Sequence, residues 1–265
     1  MAQVDSMESS KFGIANGAII LLAGFFFFVP LIATGVFSLW EGRGHYGFSS
    51  YAIMLETPDF WNSLGLSIRL AIETILLSFV LLVPTMVFVH LRAPYLKRVF
   101  EFISNLPFVI PAIALIDGLT TLYTGPSWLI STPNYLVIPY FFLTMPYVYR
   151  SLDVGLSTID VKTLAQAGQS LGAGWGQVIL LILMPNIRTA LIGAALLTLT
   201  VVMSEFTFAS VLLFRTFAVF IDNTGQMAIT EGAALSLFSF MITWLLMLGV
   251  LLTGRRKVAS LGGAK

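Results

Sequence analysis

The chain has 265 residues, of which 57% are hydrophobic and 10% are charged, and its formal net charge is +1. Soluble domains carry about 25% charged residues, so a chain with so few charges and a mean hydropathy of +0.92 is not a soluble enzyme. Most of its surface must contact lipid. The small net charge gives no indication of a nucleic-acid partner, and the absence of cysteine excludes disulfides, thiolate metal sites and cysteine nucleophiles.

Six stretches of the chain are long and apolar enough to cross a bilayer, which takes about 20 residues. They predict an all-α membrane protein with six transmembrane helices. The predicted spans are 12–39, 63–89, 99–124, 134–152, 189–213 and 233–253. The first span is longer than a signal-peptide core and has no small-residue cleavage site, so we expect it to remain as an anchor. An N-terminal segment, 1–11, and a tail, 254–265, complete the chain.

The placement of lysine and arginine predicts the orientation of these spans. Of the 14 lysine and arginine residues, 11 lie in the N-terminal segment, in the connection after the second span, in the segment from Arg150 to Arg188, and in the tail. Only Arg43, Arg69 and Arg215 lie on the opposite side. We therefore predict that both chain termini are cytoplasmic.

The connection 153–188 is too long for a turn and is neither Gly/Ser-rich nor highly charged, so we expect it to have structure of its own. Asp160 is a suitable N-cap for a short helix. This helix has an apolar stripe formed by Leu164, Ala167 and Leu171.

Two glycines, Gly172 and Gly174, are expected to end that helix. A second amphipathic stretch, 175–183, is expected to end at Pro185, because proline removes a hydrogen bond from a helix interior. The connection is thus predicted to form two short helices on the cytoplasmic face. The alternative is a hairpin that only rests on lipid headgroups.

The spacing within this connection matches a known sequence motif. The pattern is Gln-Ala-Gly, three residues, Gly, nine residues, Ile, one residue, Met-Pro, carried by residues 166–168, 172, 182 and 184–185. It resembles the EAA loop of the permease subunits of binding-protein-dependent ABC importers of type I. The segments 106–111 and 60–64 also look like this family, so the resemblance covers about residues 60–253. Two departures are Gln166, where the family has Glu, and Gly168, where it has Ala.

This resemblance implies the type I importer permease fold, with a cytoplasmic coupling helix between the fourth and fifth spans that docks on a separate ATPase. It implies a bacterial inner-membrane location, a second permease, identical or homologous, two ATPase subunits and an extracytoplasmic solute-binding protein. ATP and magnesium would be bound by the ATPase, because this chain has no Walker A motif. The residues assigned to coupling are Leu164, Gln166, Ala167, Gly168, Leu171, Gly172, Ala173, Trp175 and Pro185.

Ionisable residues inside the predicted spans are functional candidates, because a charge is costly in lipid. Arg69 and Glu73 are four residues apart, so we expect an intrahelical ion pair. Asp117 and Glu205 have no local cation. Each is expected either to line the substrate path or to have a structural role, as the cap of a broken helix or in a wetted outer mouth. Weaker candidates for the path are Asn105, Ser204 and Thr207.

Other classes of protein fit the sequence less well. An intramembrane enzyme would need paired aspartates, a Ser/His pair or a His-rich metal set, and the sequence has none of these. His45 and His90 are expected to be solvated rather than metal ligands. A secondary transporter or channel, working without an ATPase, would predict internal repeats and discontinuous helices, and no repeat is apparent.

The substrate is less well defined than the class of protein. The number of spans resembles that of permeases for spermidine and putrescine, ferric iron, thiamine or phosphonates more than that of sugar permeases. The two unpaired acids favour a small polar or cationic solute, such as a polyamine.

Overall fold

The computed structural model describes residues 2–122 and 125–259. The predicted end of the third span at residue 124 and the last residues of the tail, 260–265, therefore lie outside the described residues. The described chain is almost entirely helical, with one two-stranded hairpin. The helices before the long connection are α1 (Ala2–Ser38), α2 (Ser49–Glu56), α3 (Pro58–Arg92), α4 (Lys97–Val109), α5 (Ala112–Leu122), α6 (Ser127–Ile130) and α7 (Val137–Ser157). The hairpin strands, β1 (Trp40–Gly42) and β2 (His45–Tyr46), lie between α1 and α2.

The later helices begin with the long connection. They are α8 (Val161–Ser170), α9 (Trp175–Gln177), a π-helix (Val178–Leu183), α10 (Met184–Asn186), α11 (Arg188–Ser204), α12 (Thr207–Val211), α13 (Phe217–Met227) and α14 (Ile229–Ala259). The chain divides into two compact units. The first consists of Met1–Thr57 and Ile221–Phe240, and the second of Pro58–Phe220 and Met241–Lys265.

Four helical segments of the described chain are long and apolar enough to cross a membrane, and a bent pair of helices adds a fifth candidate. The four are Ile19–Ser38, Pro58–Arg92, Arg188–Val211 and Ile229–Gly249. They support the prediction of an all-α membrane protein. The predicted span 134–152 falls in α7, whose 21 residues correspond to about 30 Å of helix. Because α7 is less apolar than these four segments, the total of six spans stays a prediction.

The first unit contains the most lipid-like surface of the molecule. None of the apolar window of the segment Ile19–Ser38 is buried within the structure, and Phe25–Phe28 are 57–82% exposed. A helix that is apolar on all sides and has no protein cover is suited to the hydrocarbon of a bilayer. The hairpin that follows α1 turns through Gly42, Arg43 and Gly44, which all have positive φ.

The second unit has its core where α3, α7 and α11 pack together. The core side chains are aliphatic or aromatic and include Met86, Val148, Leu152 and Leu183, all fully buried. Two of the buried hydroxyls on α3, those of Ser63 and Thr74, are accommodated in this packing because they bond to the backbone of their own helix. Thr74, for example, donates to the carbonyl of Leu70 at 2.8 Å.

A single glycine allows α7 and α11 to approach closely. A Cβ atom at Gly155 would overlap the Cβ of Ala190 and lie 3.5 Å from the Cβ of Ile187. Gly65 on α3 is also helical, but a Cβ there would meet nothing within 4 Å. The two glycines thus form a matched pair in which only the surroundings differ.

Gly155→Ala is expected to destabilise the chain by about 1–3 kcal/mol, because the added methyl group overpacks the helix contact. Gly65→Ala is expected to stabilise it by about 0.5–1 kcal/mol through the lower entropy of the unfolded chain. Thermal unfolding of the two purified variants measures both effects. Equal melting temperatures would contradict this account of the α7–α11 contact.

The predicted continuous third span is wrong. Two helices, α4 and α5, replace it, and their axes differ by 106°. The break lies at Ile110, whose backbone is extended (φ −86°, ψ 122°). Pro111 explains this conformation, because the proline ring disfavours the helical region for the residue before it. The sequence contained this signal, since Pro111 was in the segment used for the family resemblance.

Two contacts between polar side chains in the second unit test expectations from the sequence. The predicted pair of Arg69 and Glu73 is confirmed, with 3.6 Å between the guanidinium and the carboxylate. The expectation that His90 is solvated is wrong, because only 13% of its side chain is exposed. Its Nε2 lies 3.4 Å from Asp153, which also pairs with Lys97 at 2.9 Å. Asp153 therefore links the ends of α3 and α4 to α7.

Candidate functional site

The first helix of the connection, α8, begins as the sequence predicts. The backbone N–H of Thr163 donates to Oδ1 of Asp160 at 3.1 Å, and the Thr163 hydroxyl donates to Oδ2 at 2.6 Å. Asp160 is thus the N-cap of α8. The hydroxyl and the backbone N–H of Thr163 stabilise the ionised carboxylate and lower the pKa of Asp160 below its ordinary value of 3.8.

This cap predicts how α8 responds to acid. A lowered pKa in the folded state means that the stabilisation is complete above pH 3.8 and is lost as the pH falls through the lowered pKa. Amide hydrogen exchange of residues 161–170, measured against pH, is expected to show this loss of protection. Asp160→Asn is the control, because asparagine also caps helices but does not titrate. The same pH dependence in both proteins would contradict the role of the carboxylate.

The end of α8 also agrees with the sequence. Gly172 has φ of +86°, a left-handed conformation that glycine adopts without strain. The N–H of Gly172 donates to the carbonyl of Gln169 at 2.9 Å, and the N–H of Ala173 donates to that of Gly168 at 3.0 Å. These two bonds form a Schellman motif. The prediction that Gly172 ends the helix is confirmed.

The second helix of the connection differs from the prediction. It was expected over 175–183 with its end at Pro185, but helical structure continues through α10 to Asn186. A π-helix over Val178–Leu183 lies between α9 and α10. Pro185 lies in α10 directly after the π-helix, and the backbone of Leu183 (φ −72°, ψ −51°) and of Met184 (φ −58°, ψ −43°) before it stays helical.

The predicted coupling residues divide into two groups. Leu164, Gly168 and Ala173 pack on the chain itself: Gly168 is buried, and the other two are partly buried against the core. A Cβ atom at Gly168 would lie 2.5 Å from Cδ1 of Ile182 and 3.3 Å from Cγ2 of Val178, so the glycine permits α8 to contact the π-helix. The exposed group consists of Gln166, Ala167, Leu171, Gly172, Trp175 and Pro185.

The exposed group includes large apolar side chains. Leu171 is 89% exposed and Trp175 is 43% exposed. They lie on a loop that is fixed by the Asp160 cap, by the Schellman motif and by a hydrogen bond from the Gly174 N–H to Oε1 of Gln177 at 2.9 Å. A rigid loop with exposed leucine and tryptophan is suited to contact another surface. We call this exposed group the coupling surface.

A groove of about 760 Å³ lies in the second unit among α4, α7 and α11. Asn105 lines it, as do Glu101 and Arg150, which form an ion pair at 3.6 Å. Phe108 and Tyr147 add a pair of aromatic rings, with centroids 5.6 Å apart. Of these residues, only Asn105 is a candidate for the substrate path from the sequence. Glu101 and Arg150 could have been found from the sequence, because both are charged residues near the ends of predicted spans.

Glu205 lies at a break between α11 and α12 and is 8% exposed. Its backbone is extended (φ −74°, ψ 121°), and its Oε1 accepts the N–H of Phe208 at 2.8 Å. This contact agrees with the structural alternative, the cap of a broken helix. Oε2 of Glu205 and the hydroxyl of Tyr140 are both buried, and the two side chains lie close enough together for the phenol to be a hydrogen-bond partner of the carboxylate.

The other candidates for the substrate path near this break are more exposed than Glu205. Asp117 is exposed on α5, a helix that packs against α12. Ser204 is exposed and donates to the carbonyls of Thr200 and Val201 within its own helix, at 2.9 and 3.2 Å. Thr207 is half-buried at the start of α12. The structure thus places Ser204, Glu205 and Thr207 at one break, with the helix of Asp117 beside it.

No protein-family model matches the sequence, and no curated protein matches it. Solved structures do match. One is a crystal structure of a bacterial ABC transporter involved in the import of the acidic polysaccharide alginate, with a TM-score of 0.66 at 15% identity. The match covers 94% of this chain and 96% of that one.

A second match is a bacterial alginate ABC transporter in complex with an alginate pentasaccharide-bound periplasmic protein. It has a TM-score of 0.65 at 16% identity and covers 94% of this chain and 96% of that one. The chain has the fold of these ABC transporter chains. Both matched structures are of ABC transporters.

Proposed function

We propose that the chain is a transmembrane subunit of an ATP-driven importer and that it couples to a separate ATPase through the coupling surface. The observation that carries this proposal is the rigid connection 160–186, whose apolar side chains Leu171 and Trp175 are exposed. A loop held by caps at both ends transmits a movement of its partner instead of absorbing it. The ABC transporter fold supports the same conclusion.

The proposed assembly contains two permease subunits, two ATPase subunits and an extracytoplasmic solute-binding protein, in a bacterial inner membrane with both termini of this chain in the cytoplasm. A single chain would supply half of the translocation path. The presence of a periplasmic protein in one structure with this fold supports the solute-binding partner. The EAA-like spacing supports the ATPase partner, although Gln166 lacks the charge with which the family's Glu can pair with a cation.

The proposed solute is small and polar or cationic, such as a polyamine. The exposed carboxylate of Asp117 has no ion-pair partner among the described residues, and the groove that contains Asn105 has one acid and one base that pair with each other. An unpaired acid beside the path favours a cation. The transporters with the same fold import an acidic polysaccharide, so the test must include an anionic solute.

A secondary transporter or channel is the alternative, and one observation favours it. Two breaks interrupt predicted spans, at Ile110 and at Glu205, and discontinuous helices are common in secondary transporters. The alternative predicts transport without ATP. A test of whether transport requires an ATPase therefore distinguishes the secondary transporter from the importer.

Reconstitution in liposomes tests the proposal. The chain is purified with its partner permease and ATPase, and uptake of a radiolabelled polyamine and of an alginate oligosaccharide is measured in the presence of the solute-binding protein. We expect polyamine uptake only with ATP, and none with a non-hydrolysable analogue. Uptake by this chain alone without ATP would overturn the importer assignment. Uptake of the oligosaccharide in place of the polyamine would overturn the assignment of the solute alone.

A further inference from the structure

A second groove, of about 360 Å³, lies where α3 meets the connection 160–186, which we call the coupling loop. Val87, Phe88 and Leu91 of α3 line one side, and Trp175 and Ile179 line the other. Phe88 is 56% exposed, so an apolar wall is open to the surroundings. The groove is separate from the groove of Asn105 and from the break at Glu205, and it shares only Trp175 with the coupling surface.

One charged residue, Arg92, lines this groove. It is the last residue of α3 and is exposed. It forms no ion pair with any residue in the part of the chain that the structure describes, in contrast to Lys97, which pairs with Asp153 at 2.9 Å. The groove thus combines apolar walls with an unpaired guanidinium at one end.

The position of the groove along α3 matches the boundary of a bilayer. α3 is long and apolar enough to cross a membrane, and its predicted hydrophobic span ends at Val89, three residues before Arg92. At about 1.5 Å per residue, Arg92 lies only a few ångströms beyond the hydrocarbon. Val87 and Phe88 are then at the depth of acyl chains, and tryptophan side chains such as Trp175 favour this interface.

We propose that this groove binds one anionic phospholipid, with its phosphate on Arg92 and an acyl chain against Phe88, Leu91 and Ile179. A guanidinium binds phosphate oxygens through two parallel hydrogen bonds, and basic sites beside membrane helices recognise acidic headgroups. The lipid would contact α3 and the coupling loop at the same time. It would therefore connect the end of a membrane helix to the segment that carries Trp175.

Quenching of Trp175 by brominated lipids tests this proposal directly. The assembled complex is reconstituted in phosphatidylcholine vesicles that contain either brominated phosphatidylglycerol or brominated phosphatidylcholine at the same mole fraction. The difference in fluorescence between wild type and Trp175→Phe isolates the signal of Trp175 from those of the other tryptophans. We expect stronger quenching by the anionic lipid. The quenching measures lipid contact and not transport, so a failure of lipid binding is distinguishable from a failure of ATP-driven uptake.

Arg92→Gln is expected to reduce the preference for the anionic lipid about fivefold, the factor that corresponds to about 1 kcal/mol for one cation near a charged surface. Arg98→Gln is the matched control, because Arg98 is also exposed but does not line the groove, and it should keep the preference. Equal quenching by both lipids would show only unspecific lipid contact and would overturn the proposal. The absence of quenching by either lipid would show that protein covers the groove, and it would also overturn the proposal. A loss of preference in Arg98→Gln would do the same, because the effect would then come from surface charge in general.

Discussion

Ala167→Trp is expected to uncouple solute transport from ATP hydrolysis while the chain still inserts and assembles. Ala167 is exposed on α8 and next to the inward-facing Gly168, so the larger side chain meets no atom of the chain's own core. In the proposed assembly the new side chain would lie against the ATPase. Overpacking of a close contact costs about 1–3 kcal/mol, which weakens binding by about 5- to 150-fold.

Three measurements on this variant separate its effects. Thermal unfolding is expected to be unchanged, co-purification of the ATPase is expected to fall, and ATP-driven uptake is expected to be lost. Ala167→Ser is the control, because serine is small and polar and should preserve all three properties. The alternative, a hairpin on lipid headgroups, predicts that tryptophan is tolerated. Wild-type uptake in Ala167→Trp would therefore contradict docking on an ATPase.

Glu205→Leu is expected to lower the stability of the chain by about 1.5–3 kcal/mol, the range for hydrogen bonds to charged groups. Its Oε1 is the acceptor for the buried N–H of Phe208 at 2.8 Å. Leucine is apolar and of similar volume, but it leaves that N–H without a partner at the break between α11 and α12. Thermal unfolding measures the change, and proteolysis near residue 205 locates it.

Glu205→Gln distinguishes the hydrogen bond from the charge. The glutamine carbonyl still accepts the N–H of Phe208, so we expect this variant to lose less than half of the stability that Glu205→Leu loses. A buried carboxylate carries a cost of desolvation, and the amide of glutamine avoids that cost while it keeps an oxygen for the N–H of Phe208. If Glu205→Leu proved more stable than wild type, the cap would not explain this residue, and a role of its charge in the substrate path would be favoured.

Several features that depend on interactions between residues close in the sequence were predicted correctly, and features that depend on distant residues were not. Asp160 and Gly172 were predicted as the start and end of α8 because capping bonds join residues three to five apart. Pro111 acts on its immediate neighbour Ile110, so the bend between α4 and α5 was within reach of local rules, although hydropathy alone predicted one straight span. The break at Glu205 has no proline, and it depends on a contact that hydropathy does not represent.

The sequence by itself determined that this is an all-α membrane chain, because the ratio of apolar to charged residues leaves few alternatives to lipid as its solvent. It also determined the boundaries of α8. Only the tertiary structure decided which side of α8 is exposed, since Gly168 faces inward through its contact with Ile182 and Val178 on the π-helix. The burial of His90 beside Asp153 was decided in the same way. Such contacts join residues that are distant in the chain, and their formation depends on how whole helices pack rather than on local patterns.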